Sequence, residues 1–226
     1  MIKIISQDLF RYKNYPSTNL IVDFSKIKST PFNQLSTYFP WGDIPVPYSP
    51  GSMGMSLHSI WEGLKVFELC DVDTKFIKKN IRAIRSQNEC GKLLGFRRGI
   101  DGHCIFEEIE ARKRIYIKIY KWILENKAYK IILGLRQFST NGNLFFIDRC
   151  TNCNLEDLSS PISTAFLVKS YIEGTDPYQE IITYNYVHHY YYIGRREICT
   201  TTTEKIFKEI PPKIENNSQL EIEFDY

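Results

Sequence analysis

The sequence predicts a helix-dominated α+β domain over residues 1–174, with small β-segments and a tyrosine-rich C-terminal extension over 175–226. Three observations lead there. Apolar residues recur at helical spacing within "SLHSIWEGLKVFE" (56–68) and again across 106–126. Three short runs, "IKII", "LIVDF" and "NLFFID", read as strands bounded by turn residues. At Gly174 the composition changes, first to tyrosine and then to threonine, and no internal repeat appears.

The size suits this class. A chain of 226 residues buries roughly 70% of its unfolded surface, enough for a core without staples. Hydrophobic content of 43% and charged content of 24% are ordinary for a globular protein. The net charge of +3 permits a nucleotide or nucleic-acid ligand without demanding one. No apolar run of membrane-spanning length occurs, and the N-terminus lacks a signal-peptide pattern, so an intracellular, cytoplasmic protein is expected. In that setting the six cysteines are expected as thiols. "CTNC" (150–153) is one C-x-x-C without a second pair, which favours free thiols over zinc or a redox pair.

Along the chain, "IKII" and "LIVDF" flank the polar turn material "YKNYPSTN". Residues 32–55 carry four prolines and three glycines. Pro45 and Pro47 deny alternate ladder donors, which predicts an edge strand or an extended loop. A helix then opens near Ser52 or Ser56, without a good capping box, and buries Leu57, Ile60, Leu64 and Phe67. A second helix starts at Asp73 or Thr74 and is expected to run to about Arg85. "ECGKLLGFRRGIDGH" breaks the pattern with four glycines.

A long helix follows over 106–126, with Phe106, Ile109, Tyr116, Ile119, Tyr120, Ile123 and Leu124 inward and Glu107, Glu108, Arg112 and Arg114 outward. "AYKIILGLRQFS" is a further helix, and "NLFFID" a buried strand. "SPISTAFLVKSYIEG" reads as a helix capped by Ser160, with Pro161 first and Gly174 as terminator. Residues 178–200 read as one or two strands, and the last fifteen as a weakly ordered tail.

Four features carry possible chemistry. His58, Glu62 and Lys65 recur along one helix face beside Trp61. The spacing suits either a solvated surface pair or the floor of a cleft. "GKLLGFRRG" combines glycines with Arg97 and Arg98, suited to phosphate contact, but it is neither a P-loop nor a dinucleotide fingerprint. "HHYYY" (188–192) followed by Arg195 and Arg196 suits base stacking or an exposed strand face. On a strand the adjacent histidines point apart, which disfavours a metal pair. Asp148 ends a strand, where a carboxylate often borders a ligand crevice, or pairs with Arg149.

The order of these pieces resembles the NADAR family, named for its association with NAD and ADP-ribose chemistry. Leu35-Ser36-Thr37-Tyr38-Phe39-Pro40 stands where that family has L-S-N-F-Y-P. Ser56-Leu57-His58-Ser59-Ile60-Trp61-Glu62-Gly63-Leu64-Lys65 stands for S-V-E-H-Y-Y-Q-A-x-K. Lys92–Arg98 stands for K-x-L-G-R, and Asp148 for the last carboxylate. The likeness spans about 32–150. "WGDIPVPYSPG…SIWEGLKVFE" resembles more closely still an uncharacterised group of bacterial proteins, a distant branch of that fold.

The resemblance implies hydrolysis of an N-glycosidic bond in a nucleotide-like substrate: an ADP-ribosyl adduct, a ribosylamine or a modified base in nucleic acid. Such chemistry passes through an oxocarbenium-like sugar and needs a carboxylate beside C1. Two departures matter, Thr37 for asparagine and His58 for the family's glutamate. Glu62, one turn on, is therefore the expected catalytic carboxylate, with His58 beside it and Asp148 and Asp43 in reserve. Ser36, Thr37, Tyr38, Phe39, Asp43, Trp61, Lys65, Arg97 and Arg98 are the expected substrate contacts. No cofactor, metal or membrane is expected; the partner is the nucleotide-like molecule or modified nucleic acid. The alternative is a non-catalytic nucleotide- or nucleic-acid-binding module.

Overall fold

A computed structural model describes residues 1–10, 19–25, 31–175 and 177, together with the backbone of 187–193 and 196–202. In chain order the elements begin with β1 (Ile2–Ser6), α1 (Gln7–Phe10), β2 (Leu20–Asp23), a 3-10 turn (Phe32–Leu35), β3 (Ile44–Pro45) and β4 (Met53–Gly54). Next come α2 (Leu57–Gly63), β5 (Lys65–Phe67), α3 (Thr74–Lys78), α4 (Gln87–Cys90), β6 (Leu93–Arg97) and β7 (Ile105–Phe106). The long helix consists of α5 (Glu108–Ala111), a π-helical stretch (Arg112–Ile117) and α6 (Lys118–Asn126). Then follow α7 (Tyr129–Asn141), β8 (Leu144–Asp148), α8 (Thr164–Glu173), β9 (Val187–Ile193) and β10 (Arg196–Thr202).

Mixed α and β structure follows, as expected, with the strands in small sheets. One sheet is parallel, in the order β1-β8-β2, with Ile4 and Val22 both opposite Phe146. Its middle strand reads "LFFID", a nearly continuous apolar run, because a central parallel strand is covered on both faces. Leu144, Phe146 and Ile147 are buried there. A second sheet, β5-β6-β7, is an antiparallel meander, and β3 pairs with β4 as a short ribbon. Pro45 thus lies in an edge strand. The tyrosine-rich region supplies an antiparallel hairpin, β9 with β10. The expected C-terminal tail lies outside the described residues.

The core joins Leu57 and Ile60 of α2, and Leu64 just after it, to Ile115, Ile119, Tyr120 and Ile123 of the long helix and to β8. Gly63 makes this closeness possible. A Cβ there would strike Ile77 Cγ1 and approach the Asp73 carbonyl oxygen to 2.9 Å, so α3 packs directly on the α2 backbone. Among the described residues no helix is long and apolar enough to cross a membrane.

The local expectations need several corrections. Helix α2 stops at Gly63, so Lys65 and Phe67 lie on β5 and not on the helix. Helix α3 ends at Lys78 rather than Arg85, because residues 79–86 run as an irregular strap whose polar backbone groups are spent on α2. "LLGFR" is strand β6, not an open glycine loop. Helix α8 is capped by Ser163, whose hydroxyl accepts from Phe166 N at 3.1 Å, and not by Ser160. Gly174 ends it as expected, in the left-handed conformation at φ 69°. Cys70 and Cys90 form a disulfide, with Cα atoms 5.1 Å apart, whereas all six cysteines were expected as thiols.

Candidate functional site

Ser56 starts α2 with a capping box after all. Its hydroxyl accepts from Ser59 N at 3.0 Å, and Ser59 Oγ accepts from Ser56 N at 2.9 Å; a serine takes the place usually held by glutamate. This fixes the helix start and points His58 and Glu62 away from the apolar core face. Both side chains are nonetheless buried, at 7% and 3% exposure.

The strap covers them. His58 Nε2 lies 3.1 Å from the Ala83 carbonyl oxygen, which only accepts, so this nitrogen carries the proton. Burial pushes the imidazole below its ordinary 6.5, and the Glu62 charge opposes that shift only in part. Glu62 Oε2 accepts from Arg85 N at 3.0 Å, while Oε1 pairs with Lys65 Nζ at 2.5 Å. The Arg85 guanidinium donates to the carbonyls of Lys65 (2.7 Å) and Asp71 (2.6 Å). The three residues of the expected catalytic face therefore lie together, but they form a roofed polar network instead of an open floor. Both Glu62 oxygens are engaged.

The expected phosphate contacts are also occupied. Arg97 Nη2 pairs with Asp71 Oδ2 at 2.6 Å, and Nη1 donates to the His103 carbonyl at 3.0 Å. Arg98 lies half-buried over the Tyr48 ring, 5.0 Å from its centroid.

Asp148 is placed differently. It ends β8 at the carboxyl edge of the parallel sheet and is 8% exposed. Its Oδ2 accepts from Ser163 Oγ at 2.9 Å and from Ala165 N at 3.1 Å, anchoring the first turn of α8. It does not depend on Arg149. Among the described residues no hydrogen bond reaches Oδ1. One oxygen is held and the other is left over.

Around this carboxylate stand groups from separate elements. Tyr116 hydrogen-bonds through its hydroxyl to Thr37. Burial, with added repulsion from Asp148, pushes the phenol well above its ordinary range. Tyr120 is shifted the same way, and its hydroxyl donates to the Leu35 carbonyl at 2.7 Å. Arg112, beside Tyr116 on the π-helical stretch, is 5% exposed and donates to the carbonyls of Asp157 (2.7 Å) and Ser160 (3.1 Å). It pins the loop that follows Asp148.

An aromatic wall continues from Tyr116. Trp61 meets it edge-on at 5.2 Å and stacks on Phe96 at 3.9 Å. Tyr38 lies over His58 with ring centroids 4.2 Å apart. The Thr37 carbonyl accepts from His58 N at 2.9 Å, and Ser36 Oγ accepts from Tyr38 N at 3.3 Å, which ties the 36–40 turn to α2. Phe39 packs edge-on against Trp41. Asp43 is exposed, at φ 48°, and engages no residue of this cluster.

Ser36, Thr37, Tyr38, His58 and Trp61 are thus gathered around one side of α2 and the long helix, and Asp148 reaches this group through its charge on Tyr116. Lys65, Arg97 and Glu62 are diverted into pairs. Tyr116 and Arg112 were missed, the first counted as core and the second as surface. The only signal was a tyrosine and an arginine set among isoleucines. π-helical stretches frequently occur at functional sites, and this one sets both side chains. A separate cavity of about 300 Å3 opens between α6, α7 and α8, lined in part by Lys121, Arg136, Ser170 and Tyr171, and includes none of the expected residues.

The chain belongs to a family of unknown function, DUF6939, whose model matches residues 6–168. That range runs from the end of β1 through the first half of α8 and takes in every residue of the Asp148 cluster. No curated protein and no solved structure matches the chain.

Proposed function

We propose that this DUF6939 chain hydrolyses an N-glycosidic bond in a nucleotide-like substrate, an ADP-ribosyl adduct, a ribosylamine or a modified base in nucleic acid. The observation that carries the proposal is Asp148: a buried carboxylate at the carboxyl edge of a parallel sheet, anchored by Oδ2, with no hydrogen bond to Oδ1 among the described residues. A carboxylate held this way is preorganised to face positive charge developing at C1 and to take a proton from the attacking water. Water adds to C1, the C1–N bond breaks with its electrons to the base nitrogen, and the base leaves as it gains a proton. Tyr116 stays protonated, and its hydroxyl feels the Asp148 charge. Tyr38 and Trp61 supply aromatic surface for the base or sugar. Here Asp148 takes the role the sequence suggested for Glu62, whose engaged oxygens suit it to structure.

A second proposal is a non-catalytic nucleotide- or nucleic-acid-binding module. It is favoured by the commitment of both oxygens of Glu62, the expected catalytic carboxylate, to internal partners. Its mark is salt-sensitive binding without turnover.

A chromatographic assay for released base separates the two. The purified chain is incubated with NAD, ADP-ribosylated guanosine and DNA, ribosylamines of the riboflavin pathway, and DNA carrying modified bases. Release by the wild type and not by Asp148→Asn supports hydrolysis. Salt-sensitive binding of a panel member with no release supports the module.

A further inference from the structure

The strap of residues 79–86 has few ties of its own. Its backbone joins no strand ladder, Arg82, Ala83 and Ile84 are exposed, and it is held on α2 by the His58–Ala83 contact and by Arg85. At one end Ile77 is sunk in the core, and at the other Cys90 is joined to Cys70 across 20 residues of sequence. The closed loop contains Asp71, Ala83 and Arg85, so the strap groups that meet His58 and Glu62 lie within it, while Tyr38 and Lys65 meet them from outside. Cys70 is half-buried, the more exposed of the two, while Cys90 is buried.

We propose that the Cys70–Cys90 disulfide is a redox latch on this strap. Closed, it keeps 79–86 seated over His58 and Glu62; opened by a dithiol reductant, it lets the strap leave. A thiolate of the reductant attacks Cys70 Sγ, the S–S bond breaks, and Cys90 departs as a thiolate. The reductant's second thiol then displaces Cys70, leaving the reductant as a cyclic disulfide. Two electrons pass to the cysteine pair, and each sulfur takes up a proton. A closed loop restricts the detached states of the segment it contains, so reduction raises their population. In a reducing compartment such a bond is transient rather than permanent. Any effect of the latch on turnover rests on the N-glycosidase proposal; the latch itself rests on the geometry of the loop.

The test uses the full chain, oxidised and then treated with dithiothreitol, alongside Cys70→Ser. Hydrogen exchange is followed in the peptide containing Arg85, whose amide donates to Glu62, and trypsin cleavage is followed at Lys79 and Arg82. The expected result is exchange at least about tenfold faster, and faster cleavage, on reduction and in Cys70→Ser. The amides of β8 should be unchanged, which separates strap release from unfolding. Equal strap exchange in the oxidised and reduced wild type overturns the proposal, as does faster exchange of the strap and β8 together. Should Cys70→Ser fail to fold, the reduced wild type decides alone. Strap release with no base liberated in either state keeps the latch and counts against the N-glycosidase proposal.

Discussion

Glu62 and Arg85 meet through a backbone contact. The Arg85 amide donates to Glu62 Oε2 at 3.0 Å, and its guanidinium reaches the Glu62 and Lys65 carbonyls from the same residue. One residue of the strap therefore satisfies a carboxylate and two carbonyls left at the end of α2. The charged face of α2 is consumed by folding, which shifts attention to Asp148.

Glu62→Gln is expected to destabilise the protein by about 3 kcal/mol, because it strands the Lys65 ammonium in a largely buried site. Urea denaturation measures this. Base release per folded molecule should remain within about twofold of wild type. A complete loss of release with stability intact would return the catalytic role to Glu62.

Asp148→Asn should behave in the opposite way. An amide oxygen can still accept from Ser163 and Ala165, so stability changes by about 1 kcal/mol or less. Turnover, however, loses the negative charge beside C1 and should fall by at least about a hundredfold. Melting temperature and base release, measured on the same preparation, check the split.

His58 sets a pH dependence. Its folded pKa lies below 6.5, so the native state binds fewer protons than the unfolded chain there. The stability it contributes is complete above 6.5 and is lost as the pH falls below that value. Glu62 and Lys65 face the ring and act in opposite directions. The melting temperature of His58→Gln should fall less steeply below pH 6.5 than that of wild type; parallel curves would contradict a buried neutral imidazole.

Gly63→Ala places a methyl group against Ile77 and the Asp73 carbonyl. Overpacking of this kind costs about 1–3 kcal/mol and should push α3 outward with the start of the strap. Urea midpoints give the cost. Trypsin cleavage after Lys78 or Lys79 should quicken as well.

Arg112→Lys keeps the charge but not the fork that serves the Asp157 and Ser160 carbonyls and Glu108 at once. A loss of about 1 kcal/mol is expected from denaturant curves, since the guanidinium's hydrogen bonds are lost while Asn152 still donates to both carbonyls. Unchanged stability would mean that water replaces the guanidinium without cost.

Local pattern sufficed for much of this architecture. The apolar spacing of Leu57 and Ile60, the run "LFFID" and the stop at Gly174 are all features of neighbouring residues, and a helix, a strand and a helix end formed there, although α2 stops at Gly63, short of the expected Leu64 and Phe67. Asp148 was also legible as a carboxylate ending a strand. The anchoring of one of its oxygens was not, because the Ser163 and Ala165 groups that hold it come from a helix start 15 and 17 residues away. Glu62 shows the same limit: spacing put it on a face with His58, but the amide that claims it lies 23 residues on. Arg97 reads as a phosphate ligand until Asp71, 26 residues back, is found against it. Helical and strand periods report which way a side chain points. Which distant atom it meets is decided by the path of the chain between them, and that path exists only in the folded protein.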